Sequence, residues 1–423
     1  MKTSRPATTT HDSSLVREER ELPVPGPVAI KGGLLLTPLD QFDPGLLVLL
    51  GESIEYAGPF CTERIPSGAR VVDAAGRMIV PGFIDLHVHG SGGRLFSSAR
   101  DRGDLRESAR TALSTGTTAF LATVGSIGLS SKSDYMRALE LLSGEVGSRD
   151  GSRARLLGIH LEGPNLSATR PGVSKAWPKE GFGDPLCDMR DLLRAARGTV
   201  RIAVVAPELP EARRLTRFLS GAGVIVSVGH TDASYETGLD ALAWGATHAT
   251  HTFNAMRPFH HRDPGIVAAT LLSPRVTNEI IGDGVHLHPA AARLVTQIKP
   301  PGKVVLVSDG VGLEAADAGS GALPGGVELR VLHDRVTLMD GTLAGGRLPL
   351  NMIVRNMVKL SGLTLKSAVE LATMNPAREL GLENTGVLAP GNRADVTVLE
   401  PDFTVFLTCC GGVLHFSDAS KEG

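Results

Sequence analysis

The stretch that decides the fold is "PGFIDLHVHG", residues 81–90, an apolar run that ends in two histidines, His87 and His89. In an extended chain, residues i and i+2 point to the same face and lie about 6.6 Å apart. Both imidazoles can therefore face one cavity and bind one cation. An isolated pair of this kind is also typical of polar surface, so the rest of the chain has to distinguish the two interpretations.

Seven further apolar runs follow along the chain and alternate with helix-like segments. Short strands that are apolar throughout indicate a parallel sheet buried on both faces. Eight such strands favour an α/β fold with a closed (β/α)₈ TIM-like barrel, in which functional side chains lie at the carboxyl ends of the strands. The seven runs are "TTAFLATV", "ARLLGIHLE", "VRIAVVAPE", "VIVSVGH", "ATHATH", "TNEIIGDG" and "KVVLVSDG".

The two ends of the chain share a sequence pattern that differs from that of the middle. Short β-like runs punctuated by glycine and proline occupy residues 28–78, and similar runs return over residues 385–423. We expect these blocks to form one small β-sandwich domain, with the barrel of residues 79–384 inserted between them. Residues 1–27 are rich in Ser, Thr, Pro and charge and lack an apolar signal core, so we expect a disordered extension.

Composition and charge exclude several classes of function. The 423 residues are 42% hydrophobic and 21% charged, with a formal net charge of −2. Without a basic patch, nucleic-acid binding has no electrostatic support. No stretch reaches the ~18 consecutive apolar residues that a membrane span needs. The four cysteines form neither a disulfide framework nor a metal-binding spacing, so we expect a cytoplasmic protein.

The carboxyl ends of four predicted strands carry residues that can bind a metal ion. These residues are His87, His89, Glu162, His230 and His251. Imidazole and carboxylate suit Zn²⁺ and Fe²⁺, and a catalytic site of this kind keeps one position open for water. A hydrogen-bonded polar side chain on a loop explains any one of these residues, but not the whole set. We therefore expect one or two divalent metal ions per chain.

Asp309 follows the apolar run "VVLVS" at the end of the eighth predicted strand. A divalent metal lowers the pKa of a bound water to about 7, and a neighbouring carboxylate can accept the proton as the water attacks. A helix N-cap would also explain an aspartate here, but the "GVGLE" that follows is not an obvious helix start. Asp309 is therefore the expected catalytic base.

Nine sequence blocks, in the same order, resemble the amidohydrolase superfamily and, within it, the N-acetylglucosamine-6-phosphate deacetylase family. The resemblance extends from about residue 28 to 417. It implies that Glu162, His230 and His251 hold the primary metal and that Asp309 is the catalytic acid and base. The first histidine pair would belong to a second metal position that some members occupy. The blocks are "PGFIDLHVHG", "GIHLEGPNLS", "VSVGHTDA", "THTFNAM", "HHRDPG", "GDGVHLHP", "LVSDGVG", "GTLAGGRL" and "NPARELGL".

The same resemblance implies a phosphorylated substrate and a homodimer. Asn254 and Ala255, in "FNAM", would help to bind the sugar phosphate, together with Arg262 and His286. The fork geometry of Arg262 suits a phosphate, although an ion pair with Asp263 would also explain this arginine. In the family, the arginine can reach across a dimer interface.

Ser174 departs from the family pattern in the substrate-binding loop. It stands twelve residues after Glu162, where the family carries a histidine that polarises the substrate carbonyl. Removing one such donor typically costs about 10²–10³ in rate. A metal at the first histidine pair could polarise the carbonyl instead, the substrate could be another N-acyl sugar or amide, or the chain could be a weakened paralogue. Gly346, where the family tends to carry serine, is a departure to which we attach little weight.

The favoured function is metal-dependent hydrolysis of the N-acetyl group of N-acetylglucosamine 6-phosphate, which gives glucosamine 6-phosphate and acetate. A first alternative is deacylation of a different N-acyl sugar or amide, because of Ser174. A second is a non-catalytic protein that binds sugar phosphates. Asp309 argues against the second alternative, since binding alone needs no base beside the metal.

Overall fold

The computed structural model describes residues 26–148, 150–173, 180–323 and 327–417. Nearly all of the expected disordered extension, residues 1–27, falls outside the described residues, and so does Ser174.

The N-terminal part of the chain contributes strands to two sheets. Strands β5, β4, β1 and β6 form one sheet in that order, while β7, β2 and β3 lie side by side in a second sheet. A single 3₁₀ turn, Thr62–Arg64, connects β5 to β6. The strands are β1 (Val28–Lys31), β2 (Leu34–Leu36), β3 (Gln41–Phe42), β4 (Gly45–Leu50), β5 (Ser53–Pro59), β6 (Arg70–Asp73) and β7 (Met78–Pro81).

The eight apolar runs form eight neighbouring parallel strands within one closed sheet. Strand β17 continues the chain beyond β16 and pairs in parallel with β8, which closes the ring. All residues of β8 and β10 are buried, as the apolar runs predicted for strands covered on both faces. The strands are β8 (Phe83–Ser91), β9 (Arg94–Leu95, paired to β8), β10 (Thr117–Val124), β11 (Arg155–Leu161), β12 (Val200–Val205), β13 (Ile225–Val228), β14 (Ala246–Ala249), β15 (Thr277–Ile280), β16 (Val304–Leu306) and β17 (Gly310–Val311).

Helices follow the barrel strands, and several begin at a side chain that caps the first turn. Asp101 accepts a hydrogen bond from the backbone N–H of Asp104, and Ser131 forms a capping box with Asp134. None of the helices in the described part of the chain is both long and apolar enough to cross a membrane. The helices are α1 (Arg102–Ser114), α2 (Lys132–Ser143), α3 (Pro185–Ala195), α4 (Ala212–Gly221), α5 (Tyr235–Trp244), α6 (Gly265–Leu272), α7 (Pro289–Ile298), α8 (Leu350–Lys359), α9 (Leu365–Leu371) and α10 (Met374–Glu379).

A small antiparallel sheet follows the last barrel strand. It consists of β18 (Gly319–Leu323), β19 (Val327–Val331) and β20 (Val336–Leu338). Leu329 and Val336 pack with Leu95 and Val311, so this sheet is anchored to strands of the barrel. No pattern in the sequence predicted this sheet.

The last three strands complete the sandwich. They are β21 (Val396–Leu399), β22 (Val405–Cys410) and β23 (Val413–Phe416), and β21 pairs antiparallel with β7 in the sheet order β23-β22-β21-β7-β2-β3. Side chains from both sheets share one buried core, which includes Ile30, Leu47 and Val398. The predicted fold class, a (β/α)₈ barrel with a small β-sandwich built from both chain ends, is confirmed.

The lower part of the barrel is closed by apolar side chains. Ile84, Leu86 and Leu121 form a buried cluster with Val305, and Leu380, which follows α10, packs against the same cluster. The other end of the strands, by contrast, carries buried histidines and carboxylates. The groups of side chains that could hold a metal ion therefore lie toward the carboxyl ends of the barrel strands, where functional residues usually lie in this fold.

Candidate active site

Six side chains from five barrel strands converge at the carboxyl end of the sheet. His87 and His89 lie on β8, whereas Glu162 directly follows β11. The other three residues stand two or three positions beyond the ends of β13, β14 and β16 and are His230, His251 and Asp309. All six belong to two groups whose ligand atoms lie within 4.8 Å of one another. The five candidate metal ligands and the candidate base therefore lie in one cluster at the carboxyl end of the barrel.

The first group is centred on a carboxylate oxygen. Glu162 Oε1 lies 2.9 Å from His230 Nε2 and 3.1 Å from His251 Nε2. The two Nε2 atoms are themselves 3.0 Å apart. His230 donates a hydrogen bond from Nδ1 to the carbonyl of Arg170, 3.1 Å away, which leaves its Nε2 lone pair facing the group. This arrangement of two imidazole nitrogens and one carboxylate suits a divalent transition metal.

The second group surrounds the candidate base. Asp309 Oδ1 lies 3.3 Å from His87 Nε2 and 3.2 Å from His89 Nε2. Glu162 also contacts both histidines, at 3.4 Å from His87 and 3.2 Å from His89. The carboxylate of Glu162 therefore stands between the two groups and is shared by them.

The electrostatics of the site favour added positive charge. Burial acts to lower the pKa of His89, but Asp309 and Glu162 outweigh it and raise that pKa to about 9. The pKa of His87 is likewise raised well above its ordinary value by Glu162, Glu279 and Asp309, against the effect of burial. Among the described residues, the buried Nε2 of His87 has no hydrogen-bond partner. An unpaired nitrogen in a ring of carboxylates and imidazoles fits a cation ligand, so the residues present suit one or two divalent metal ions.

Asp309 is an ionised carboxylate in this setting. Burial alone would raise its pKa, but His87 and His89 outweigh burial and lower the pKa of Asp309 to about 2. At neutral pH the group can therefore accept a proton, which is what a catalytic base must do.

The backbone is strained where these side chains are presented. His230, His251 and Asp309 adopt φ angles of 46°, 28° and 49°, in the left-handed region that non-glycine residues rarely occupy. Ala255, beside the site, has φ 50°. Such conformations cost about 1–3 kcal/mol each and persist where the surrounding structure holds them for a functional arrangement.

A cavity of ≈ 430 Å³ opens above the two groups. Three of the residues expected to bind substrate, Asn254, Ala255 and His286, line it. His286 donates from Nδ1 to Asp283 at 2.7 Å. Although burial acts to lower the pKa of His286, Asp283 raises it. The cavity thus joins a site for cations to a side chain that can hold positive charge against an anion.

Arg262 lies away from this cavity in its own chain. It is exposed in a tight turn between His260 and Asp263, its Nη1 is 2.8 Å from His261 Nε2, and it is absent from the described residues that line the cavity. The sequence also suggested that Arg262 forms an ion pair with Asp263. In the structure Arg257 forms that ion pair, with its Nη1 3.4 Å from Asp263 Oδ2.

Two residues of the site were not singled out from the sequence. Arg170 lines the cavity, pairs with Asp232 at 2.8 Å and positions His230 through its carbonyl. Glu279 lies beneath the site, fully buried on β15, and contacts His87. A charged residue inside the apolar run "TNEII" was the available signal for Glu279, since a carboxylate is rarely buried without a partner. Arg170 offered no such signal in a polar loop.

Gly346 contacts the backbone of Asp309 closely. Its N–H donates to the carbonyl of Asp309 at 2.7 Å, and a β-carbon at this position would overlap the carbonyl oxygen of Ser308. The absence of a side chain at Gly346, given little weight from the sequence, is therefore required by this backbone arrangement.

Replacing Gly346 by alanine is expected to destabilise the fold by about 1–3 kcal/mol, because the added methyl must displace the backbone of Ser308 and Asp309. Denaturant unfolding measures this loss. Gly183→Ala is the matched control, since no atom lies within 4 Å of a β-carbon at Gly183 and its φ is not positive. Equal stabilities of the two variants would contradict the close approach.

This chain is similar in sequence to known amidohydrolases over most of its length. The sequence model of the Amidohydrolase family matches residues 78–414. N-acetylglucosamine-6-phosphate deacetylase of Lysinibacillus sphaericus is 33% identical over 346 residues, which cover 82% of this chain and 87% of that protein. N-acetylgalactosamine-6-phosphate deacetylase of Escherichia coli O157:H7 is also 33% identical, over 347 residues that cover 80% of this chain and 87% of that protein.

A solved structure shows the same architecture over nearly the whole chain. It is a mutant of N-acetyl-D-glucosamine-6-phosphate deacetylase from Mycobacterium smegmatis in complex with N-acetyl-D-glucosamine-6-phosphate. The TM-score is 0.83 at 32% sequence identity, with 92% of this chain and 99% of that chain covered.

Proposed function

The chain belongs to the amidohydrolase family, and from this membership we propose that it hydrolyses the N-acetyl group of N-acetylglucosamine 6-phosphate, giving glucosamine 6-phosphate and acetate. One observation carries the proposal. An ionised carboxylate, Asp309, lies beside two groups of histidine and glutamate side chains that could hold metal ions. These side chains lie at the base of a cavity of ≈ 430 Å³.

The metal ligands divide into two sets in this proposal. Glu162, His230 and His251 hold the primary divalent ion, and His87 and His89 hold a second one. When bound, a divalent ion of this kind acts as a Lewis acid on the acetyl carbonyl and makes water more acidic. We propose Zn²⁺ or Fe²⁺ because both are well matched to imidazole and carboxylate ligands.

Asp309 carries the proton through the reaction. Its carboxylate accepts a proton from the attacking water, whose oxygen forms a bond to the acetyl carbon. The protonated carboxyl then donates this proton to the amide nitrogen as the carbon–nitrogen bond breaks. Acetic acid and the free amine result, and proton transfer from the acid to the amine gives acetate and an ammonium group. Asp309 returns to its ionised state, which its lowered pKa favours.

The sugar is recognised, in this proposal, by Asn254, Ala255 and His286, with the phosphate reached by Arg262 of a second copy of the chain. The exposed position of Arg262 is compatible with that role, which requires a homodimer. A cytoplasmic location is proposed from cysteine usage; within the described residues, all four cysteines are free thiols.

Replacing Arg262 by alanine is expected to weaken the binding of a phosphorylated substrate by roughly ten- to a hundred-fold, because charge-assisted contacts contribute about 1.5–3 kcal/mol to that binding. An unphosphorylated analogue should be almost unaffected. Steady-state kinetics on both substrates measure the difference, with Arg275→Ala, at another exposed position, as the control. Equal losses on both substrates would show that Arg262 does not recognise phosphate.

The identity of the sugar and of the acyl group is tested by a substrate panel. The galactosamine relative and Ser174 both make a different N-acyl sugar the second candidate. We expect the highest kcat/KM for N-acetylglucosamine 6-phosphate when it is compared with its galactosamine isomer, the unphosphorylated sugar and N-propionyl analogues. A higher value for another member would establish the alternative. Binding without turnover of any member would favour the non-catalytic protein.

A further inference from the structure

A buried carboxylate without a role in the proposed reaction lies directly beneath the candidate metal ligands. Glu279 is fully buried near the end of β15. Both of its oxygens are hydrogen-bonded: Oε2 lies 3.0 Å from His87 Nδ1 and accepts from the backbone N–H of His251 at 3.1 Å, and Oε1 lies 3.0 Å from His248 Nε2. A buried charge on a fully buried strand is costly unless it is paired in this way.

The contact with His87 determines which nitrogen of that ring faces the site. A carboxylate accepts hydrogen bonds only, so Nδ1 of His87 carries a proton and donates it to Glu279. Nε2 is then the nitrogen that faces the group formed with His89 and Asp309, where it lies 3.3 Å from Asp309 Oδ1, and it is the atom left to bind a cation. Outer partners of this kind fix the orientation of a ligand histidine and increase its basicity.

A second histidine keeps Glu279 in place from the opposite side. His248 is fully buried and lies between two carboxylates, with its Nδ1 2.9 Å from Glu379 Oε1. Glu379 in turn accepts from Thr277 and lies 3.9 Å from Lys303 Nζ. The sequence of contacts thus extends from the metal ligand His87, through Glu279 and His248, to Glu379.

We propose that Glu279 is a positioning residue that secures the second metal ion by holding His87. The proposal rests on the metal-dependent function given above. Glu279 acts selectively, because His230 is oriented by the carbonyl of Arg170, and the hydrogen bond of Glu279 to His251 is made to the backbone N–H of that residue. Among the described residues, His251 Nδ1 has no hydrogen-bond partner. Loss of Glu279 should therefore weaken the binding of the second ion far more than the binding of the primary ion.

The test is the metal content and metal affinity of folded variants. Each protein is loaded with Zn²⁺, dialysed and measured by mass spectrometry, and the affinity of each ion is obtained by competition with a chelator. We expect two ions in the unchanged protein. Glu279→Gln, which keeps the size of the side chain, should bind the second ion about 10–100-fold more weakly. Glu279→Met, which makes no hydrogen bond to His87, should retain only the primary ion.

Glu145→Gln is the matched control, because Glu145 is also a buried carboxylate but pairs with Arg106 and Arg153 away from the site. It should keep both ions. If Glu279→Met does not fold, the affinity of Glu279→Gln decides the question. Two tightly bound ions in the Glu279 variants would overturn the proposal, and so would a single ion in the unchanged protein. Deacetylase activity with that single ion would leave the proposed function standing.

Discussion

Replacing Asp309 by asparagine is expected to lower kcat by about 10²–10⁴-fold, the usual contribution of a general acid–base group. Asparagine has nearly the same shape but cannot accept the proton of the attacking water or return it to the amine. Since Asp309 acts on the chemical step, the dissociation constant of the substrate should change by no more than a few-fold. Single-turnover kinetics and direct binding titration separate the two quantities.

The control for Asp309→Asn is Asp240→Asn, an exposed aspartate of α5 that is not among the residues lining the cavity. It should leave kcat unchanged. The metal content of Asp309→Asn must also be measured, because Asp309 belongs to the second ligand group. A near-normal kcat in a variant with full metal content would mean that another group is the base.

Removal of the metal is expected to abolish activity and to lower the thermal stability of the fold. Four histidines and two carboxylates are buried in two tight groups, and burying these polar groups costs free energy that a bound cation offsets. A ligand that binds only the folded state stabilises it by about 4 kcal/mol at a thousand times its dissociation constant. Chelation should therefore shift Tm downward, and Zn²⁺ or Fe²⁺ should restore both Tm and turnover.

This experiment separates a catalytic ion from a purely structural one. Calorimetry and activity assays are performed on the chelated protein and again after each metal is added. A parallel experiment with Mg²⁺ provides the control, because Mg²⁺ prefers oxygen ligands and should restore neither property well. Full turnover by rigorously metal-free protein would contradict the proposed mechanism.

Most of the barrel could be predicted from the sequence because its strands carry an unambiguous physical signal. Parallel strands covered on both faces are predominantly apolar, and most of the eight runs met that condition. The convergence of Glu162, His230 and His251 followed from the same logic, since parallel strands end at one edge of the sheet. The structure adds that the three side chains lie within hydrogen-bond distance of one another.

Features that depend on long-range contacts could not be predicted in this way. The antiparallel sheet β18–β20 lies in a stretch without strong alternation, and only its packing against Leu95 and Val311 explains it. The role of Gly346 depends on the backbone of Ser308, which no local pattern reveals. The proposed contact of Arg262 with the phosphate depends on a second copy of the chain, which no local pattern reveals. The roles of the site residues and the domain boundaries remain predictions.

The pairing of β7 with β21 has a consequence for the order in which the protein can fold during synthesis. Roughly 300 residues separate these neighbours in one sheet, and at about 5–20 residues per second a ribosome needs roughly 15–60 s to make them. During that time one edge of β7 has no strand beside it, and unpaired edges invite association with other chains. The nascent barrel is complete before this edge is covered. Emergence of the C-terminal strands is thus the step that ends the period of greatest risk of aggregation.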